Sequence, residues 1–102
     1  MAGFRFSHRA EADLLAIGAY TLQTWDEDQA IDYVNALEAC CQMLADNPGL
    51  GRRCAEVRSG LRRLEIGRHV VLYREETGGI LVSRILHQRL LPERHAMDDE
   101  DK

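Results

Sequence analysis

Lysine occurs once, at Lys102, and proline only twice, at Pro48 and Pro92. No apolar run approaches the roughly 18 residues of a membrane span. The opening MAGFRFSHRAE has no apolar stretch of signal-peptide length. The chain is therefore expected in the cytoplasm and away from membranes. Aromatic residues make up 6% of the chain, and no strand-like segment is rich in them. That argues against a stacking platform for single-stranded nucleic acid. The three cysteines (Cys40, Cys41, Cys54) are odd in number and form no C-x-x-C pair. They read as buried, reduced thiols. The four histidines (His8, His69, His87, His95) have no metal-ligand spacing with them. No G-x-G-x-x-G, G-x-x-x-x-G-K-[ST], G-x-S-x-G or H-E-x-x-H occurs. Neither a metal nor a cofactor is expected.

What is present is charge, unevenly placed. The formal net charge of −4 hides a division. Residues 1–50 hold two arginines against eight acids, and residues 51–94 hold ten arginines against five. The end, from Asp98 to Lys102, is acidic and reads as a solvated tail over 91–102. Arginine is a planar, permanently charged fork suited to carboxylates and phosphates. The basic half therefore suggests an anionic partner, either nucleic acid or an acidic peptide.

A length of 102 residues fits one domain with one core. Phe4-Arg5-Phe6 alternates as a short strand, and Ser7 is a helix N-cap. Leu14, Ile17, Gly18, Thr21 and Trp25 then recur at helical spacing, widened by Leu15 and Leu22, which predicts a helix over 8–24. Asp26 and Gln29 form a capping-box pattern. Ile31, Val34, Leu37, Cys41 and Leu44 continue it as a helix over 27–46, stopped at Asn47-Pro48. So short a link predicts an antiparallel helical hairpin. Residues 48–59 read as the longest loop. Strands follow at 61–66, 69–74 and 80–86, joined by Gly67-Arg68 as a type II′ turn and by Thr77-Gly78-Gly79. The last two strands are apolar on both faces and so belong inside the sheet. The fold class is α+β, in the order β-α-α-β-β-β, with the helical hairpin packed on a mostly antiparallel sheet.

Several segments, taken together, resemble the ParE family of the ParE/RelE toxin superfamily. They are Phe6-Ser7 with Ala10, Asp13-Leu14 and Ile17; Ala30 to Tyr33; and Leu44-Ala45-Asp46-Asn47-Pro48-Gly49-Leu50-Gly51-Arg52. Val57 to Arg62, Gly67 to Arg74, and Ile85-Leu86-His87-Gln88-Arg89 complete the set. The resemblance runs from Phe4 to about Arg89, and places a toxin domain at 1–90. It implies the same β-α-α-β-β-β fold and the toxin of a type II toxin–antitoxin pair of the plasmid- or chromosome-stabilising kind. ParE-like toxins typically poison DNA gyrase. Their ParD-like antitoxins fold a segment around the toxin and bind operator DNA themselves, so the toxin meets that DNA only through its partner. Here the antitoxin segment is expected to be acidic. Members often read His-Gly-Arg-Arg-Asp near the last strand, where this chain reads His87-Gln88-Arg89-Leu90-Leu91.

The residues expected to meet target or antitoxin are Arg58, Arg62, Arg63, Arg68, Arg74, Arg84, His87 and Arg89. The superfamily also contains RelE-like toxins that cut messenger RNA on the ribosome. That chemistry needs a base for the 2′-hydroxyl, cations for the developing charge and an acid for the leaving oxygen. Arg62, Arg84 and His87 are the set that would serve, with Glu65 as a second base. Against it stand the absence of a lysine-rich face and of any tyrosine after His87. A third reading is an inactive relative that keeps only the binding fold.

Overall fold

The computed structural model describes residues 2–54 and 60–88. Strand β1 (Gly3–Phe6) enters helix α1 (His8–Thr24) through Ser7, whose side chain accepts the Ala10 N–H at 3.0 Å. Helix α2 (Glu27–Asp46) begins at Asp26, whose carboxylate accepts the Gln29 N–H at 2.8 Å. Both N-caps fall where the sequence puts them, because a short oxygen-bearing side chain satisfies an otherwise unpaired helical N–H. Trp25 closes α1 by donating its N–H to Thr21 O at 2.7 Å. With only Trp25 and Asp26 between them, the helices fold back as a hairpin.

Four more strands follow: β2 (Arg52–Arg53), β3 (Arg62–Ile66), β4 (His69–Glu76) and β5 (Gly79–His87). The sheet order is β1-β5-β4-β3-β2, with β1 parallel to β5 and the other pairs antiparallel. The two long strands are interior, as their two-sided apolar pattern requires. The turn at Gly67 has φ +58°, and no non-glycine residue among those described has positive φ. That is the II′ geometry, since a I′ turn would need positive φ at Arg68 too.

The expected loop over 48–59 is partly structured. It contains a 3₁₀ turn at Pro48–Leu50 and the two-residue strand β2. A long-range contact holds it. The buried Tyr73 hydroxyl donates to Pro48 O at 2.7 Å and accepts the Gly51 N–H at 2.8 Å. Two residues carry no period, so β2 has no pattern to read. Residues 55–59 and 89–102 lie outside the described residues. With them go Arg58, Arg89 and the acidic tail expected at 91–102.

The main core lies between the hairpin and the sheet. It joins Ile17, Leu37, Cys41 and Leu44 to Val71, Tyr73, Ile80, Val82 and Ile85. A smaller cluster of Cys54, Leu61, Val70 and Leu72 fills the other face of the sheet. The apolar helical stripes are narrower than expected. Leu15 is 77% exposed, Leu22 54% and Ile31 49%, because the sheet covers only one side of the hairpin. Cys40 and Cys41 are buried free thiols, and Cys54 is buried too. Burial pushes the Cys41 thiol up to about 12.

Candidate functional site

Strand β1 pairs β5 only as far as Val82, so from Ser83 to His87 the outer edge of β5 has no strand beside it among the described residues. Unpaired edge groups must find partners elsewhere. The start of α1 supplies them. Ser7 donates its N–H to Val82 O at 3.0 Å and its hydroxyl to Ser83 O at 2.7 Å. Asp13 accepts the Ile85 N–H at 2.9 Å. The same carboxylate takes Arg84 Nε and Nη2 at 2.8 and 2.9 Å. Hydrogen bonding to Asp13 raises the Arg84 pKa, against the opposing effect of burial.

This arrangement spaces α1 from the end of the sheet and leaves a groove of about 740 Å³. Its apolar lining includes Ile17, Tyr20 and Trp25 from the hairpin and Leu86 from β5. Its charged and imidazole-bearing lining is Asp13, Arg68, His69, Arg84 and His87. The rings are in series: Trp25 meets Tyr33 edge-on at 5.8 Å, Tyr33 meets His69 at 5.5 Å, and His69 meets His87 at 5.4 Å. The Tyr33 hydroxyl lies 2.6 Å from His69 Nδ1 and accepts the Arg68 N–H at 3.3 Å. Burial, and secondarily the charge of His87, lowers the His69 pKa. Burial raises that of Tyr33. Both rings are therefore neutral near pH 7, and the direction of the Tyr33–His69 hydrogen bond follows the imidazole tautomer. The groove combines apolar side chains with Arg68 and with Arg84, whose charge Asp13 balances, a mixed lining that an amphipathic peptide can use.

The sequence-predicted arginines do not share one face. Arg68, Arg84 and His87 border the groove. Arg62 and Arg63 lie on β3, one strand in from the far edge of the sheet, where Arg62 Nη1 donates to Gly51 O at 2.6 Å. Arg63 is nearly covered, with 11% of its side chain exposed, and approaches Glu65 at 3.4 Å. Arg74 is exposed on β4. The set considered for RNA cleavage is dispersed. Arg62 stands opposite Tyr73 and His87 opposite His69, so four strand residues, about 14 Å, separate their levels along β4. Arg84 is committed to Asp13.

Residues 4–92 match the family described as the ParE toxin of the type II toxin–antitoxin system parDE. The chain belongs to the ParE toxin family. A Toxin ParE1 from Caulobacter vibrioides is 40% identical over 95 residues, which is 93% of this chain and 98% of that protein. A Toxin ParE1 from Mycobacterium tuberculosis is 39% identical over 88 residues, covering 85% of this chain and 90% of the relative. In fold, this ParE family member matches a chain of a chromosomal ParDE system from P. aeruginosa with TM-score 0.71 and 24% identity. The match covers 85% of this chain and 96% of the other. No helix among the described residues is long and apolar enough to cross a membrane.

Sequence reasoning missed four residues of this ParE-type groove: Asp13, Trp25, Tyr33 and His69. Asp13 carried a signal, since an acid between Ala10 and Ile17 sits on the side of the helix that faces the core. For Tyr33 and His69 no local signal exists. They meet only because the β3–β4 turn comes under the start of α2.

Proposed function

We propose that this ParE family member is the toxin of a type II pair that inhibits DNA gyrase by binding, without cutting nucleic acid, and that it acts in the cytoplasm. A ParD-like antitoxin neutralises it by laying an acidic segment with apolar anchors into the groove between α1 and the end of β5. The observation that carries the non-nucleolytic reading is the separation of Arg62 from His87, with Arg84 held by Asp13. General acid–base cleavage needs its groups within hydrogen-bond reach of one phosphate. Tyr20 and Trp25, which line the groove together with Arg68 and Arg84, support the antitoxin assignment.

The test uses the purified chain with gyrase and relaxed plasmid, in parallel with translating ribosomes. Loss of supercoiling or accumulation of cleaved plasmid is expected. Codon-positioned cuts in the messenger, with gyrase untouched, would establish the RelE-like reading instead. For the partner, an acidic peptide that anchors a tryptophan or leucine should protect Trp25 from fluorescence quenching. Capture of the toxin by a positively charged antitoxin segment would refute the assignment.

A further inference from the structure

We propose that His69 and His87 form a two-imidazole site for a divalent transition-metal ion of the zinc class. The register of β4 and β5 sets the two residues directly opposite each other at the end of the ladder. In the sequence they stand 18 residues apart, so no spacing motif announces them. Their ring centroids lie 5.4 Å apart, with the planes at 77°. Two imidazoles on one tetrahedral ion, with metal–nitrogen bonds of about 2.0–2.1 Å, place their ring centres about 5.2 Å apart. The strand pairing thus already holds the rings at the separation that a shared ion requires. Both residues are half-buried and line the groove, so an ion can reach them.

The surroundings of His69 suit a ligand. Its Nδ1 lies 2.6 Å from the Tyr33 hydroxyl, which leaves Nε2 for a metal. Coordination there selects the tautomer in which Nδ1–H donates to Tyr33. Such a hydrogen bond on the second ring nitrogen is what orients most ligating histidines. The same holds for His87, where a contact through one nitrogen leaves the other for coordination. Burial lowers the His69 pKa, so near pH 7 the ring is neutral, the form that binds metals. Asp13 balances Arg84, while the exposed Arg68 opposes a cation and limits the affinity. Among the described residues no group of three or more histidines, cysteines and carboxylates could hold a metal, so water fills the other positions. Imidazole ligands favour zinc, copper or nickel over magnesium or calcium. The inference does not depend on gyrase or on an antitoxin.

The experiment is isothermal titration of the full chain with Zn²⁺ in a non-chelating buffer at pH 7.5, repeated with Mg²⁺. One Zn²⁺ per chain is expected, and no Mg²⁺. His69→Gln and His87→Gln should each weaken Zn²⁺ binding at least tenfold. His87→Cys supplies another zinc ligand and should restore most of the affinity. Tyr33→Phe removes the orienting hydroxyl and should weaken binding about tenfold. Arg68→Gln removes the opposing charge and should tighten it severalfold. Wild-type affinity in His87→Gln, or no zinc binding by the wild type, overturns the proposal. So does loss of binding in His8→Gln or His95→Gln, which would place the ion elsewhere. If one of the two site variants is unfolded by its thermal midpoint, the other decides alone.

Discussion

Asp13 holds Arg84 with both carboxylate oxygens, at 2.8 and 2.9 Å, while accepting the Ile85 N–H at 2.9 Å. One side chain on α1 thus closes the edge that β1 leaves open and neutralises a cation beside the groove. Asp13→Ala leaves a backbone N–H and a guanidinium without their acceptor. The Arg84 side chain is 34% exposed, so solvent softens the loss. A cost of about 1–2 kcal/mol is expected. For a domain of this size that lowers the thermal midpoint by about 5–15 °C. Asp13→Asn keeps an oxygen for Ile85 and should lose about half as much.

Tyr73→Phe removes the hydroxyl that joins Pro48 O to the Gly51 N–H in a buried setting. An orphaned buried N–H costs about 1–3 kcal/mol. The urea midpoint should fall while the m-value stays constant, because the exposed surface on unfolding is unchanged. Gly51→Ala should cost more. Its Cβ would collide with the Tyr73 hydroxyl and stand 2.8 Å from the Arg63 carbonyl oxygen.

His69 contributes to acid sensitivity with a defined sign. Burial first, and His87 second, lower its folded pKa below the ordinary 6.5. As pH falls through 6.5 the unfolded chain binds the proton more readily than the folded one. Stability therefore drops from about pH 6.5 downward, until the folded ring also protonates. Protonation also obliges Nδ1 to donate toward Tyr33, whose oxygen already accepts from Arg68. Thermal midpoints from pH 7.5 to 5 should fall less steeply in His69→Gln than in wild type. Identical slopes would remove His69 from the account.

Arg62 and Arg74 separate structural from interactive arginine. Arg62 donates to Gly51 O at 2.6 Å in a part-buried site, so Arg62→Ala should cost about 1 kcal/mol. Arg74 is exposed, and Arg74→Ala should stay within about 0.5 kcal/mol. Chemical denaturation of the two variants side by side checks this. Equal losses would show that exposure is a poor guide here.

Much of the fold was legible because its signals are local. Ser7 and Asp26 are caps, Asn47-Pro48 is a stop, and the Leu14 and Leu37 stripes repeat at 3.6 residues. The two-faced apolar runs at 69–74 and 80–86 marked interior strands. What the stripes concealed was which apolar residues a single sheet can reach. Leu15, Leu22 and Ile31 fit the helical period and still face solvent. The candidate site was legible only in part. Arg84 and His87 were found by type, but the acid, the phenol and the second imidazole that surround them come from α1, α2 and β4.

The amino-acid sequence by itself determined two helices, their hairpin, the three main strands and the family. Each rests on contacts between residues close in the chain, or on a pattern that repeats along it. Tertiary structure alone decided the parallel seat of β1 beside β5, the strand at Arg52–Arg53, and the sorting of the arginines between a groove and an edge. Those depend on pairings across tens of residues, such as Asp13 with Arg84 and Tyr73 with Pro48, whose geometry exists only once the sheet has closed under the helices.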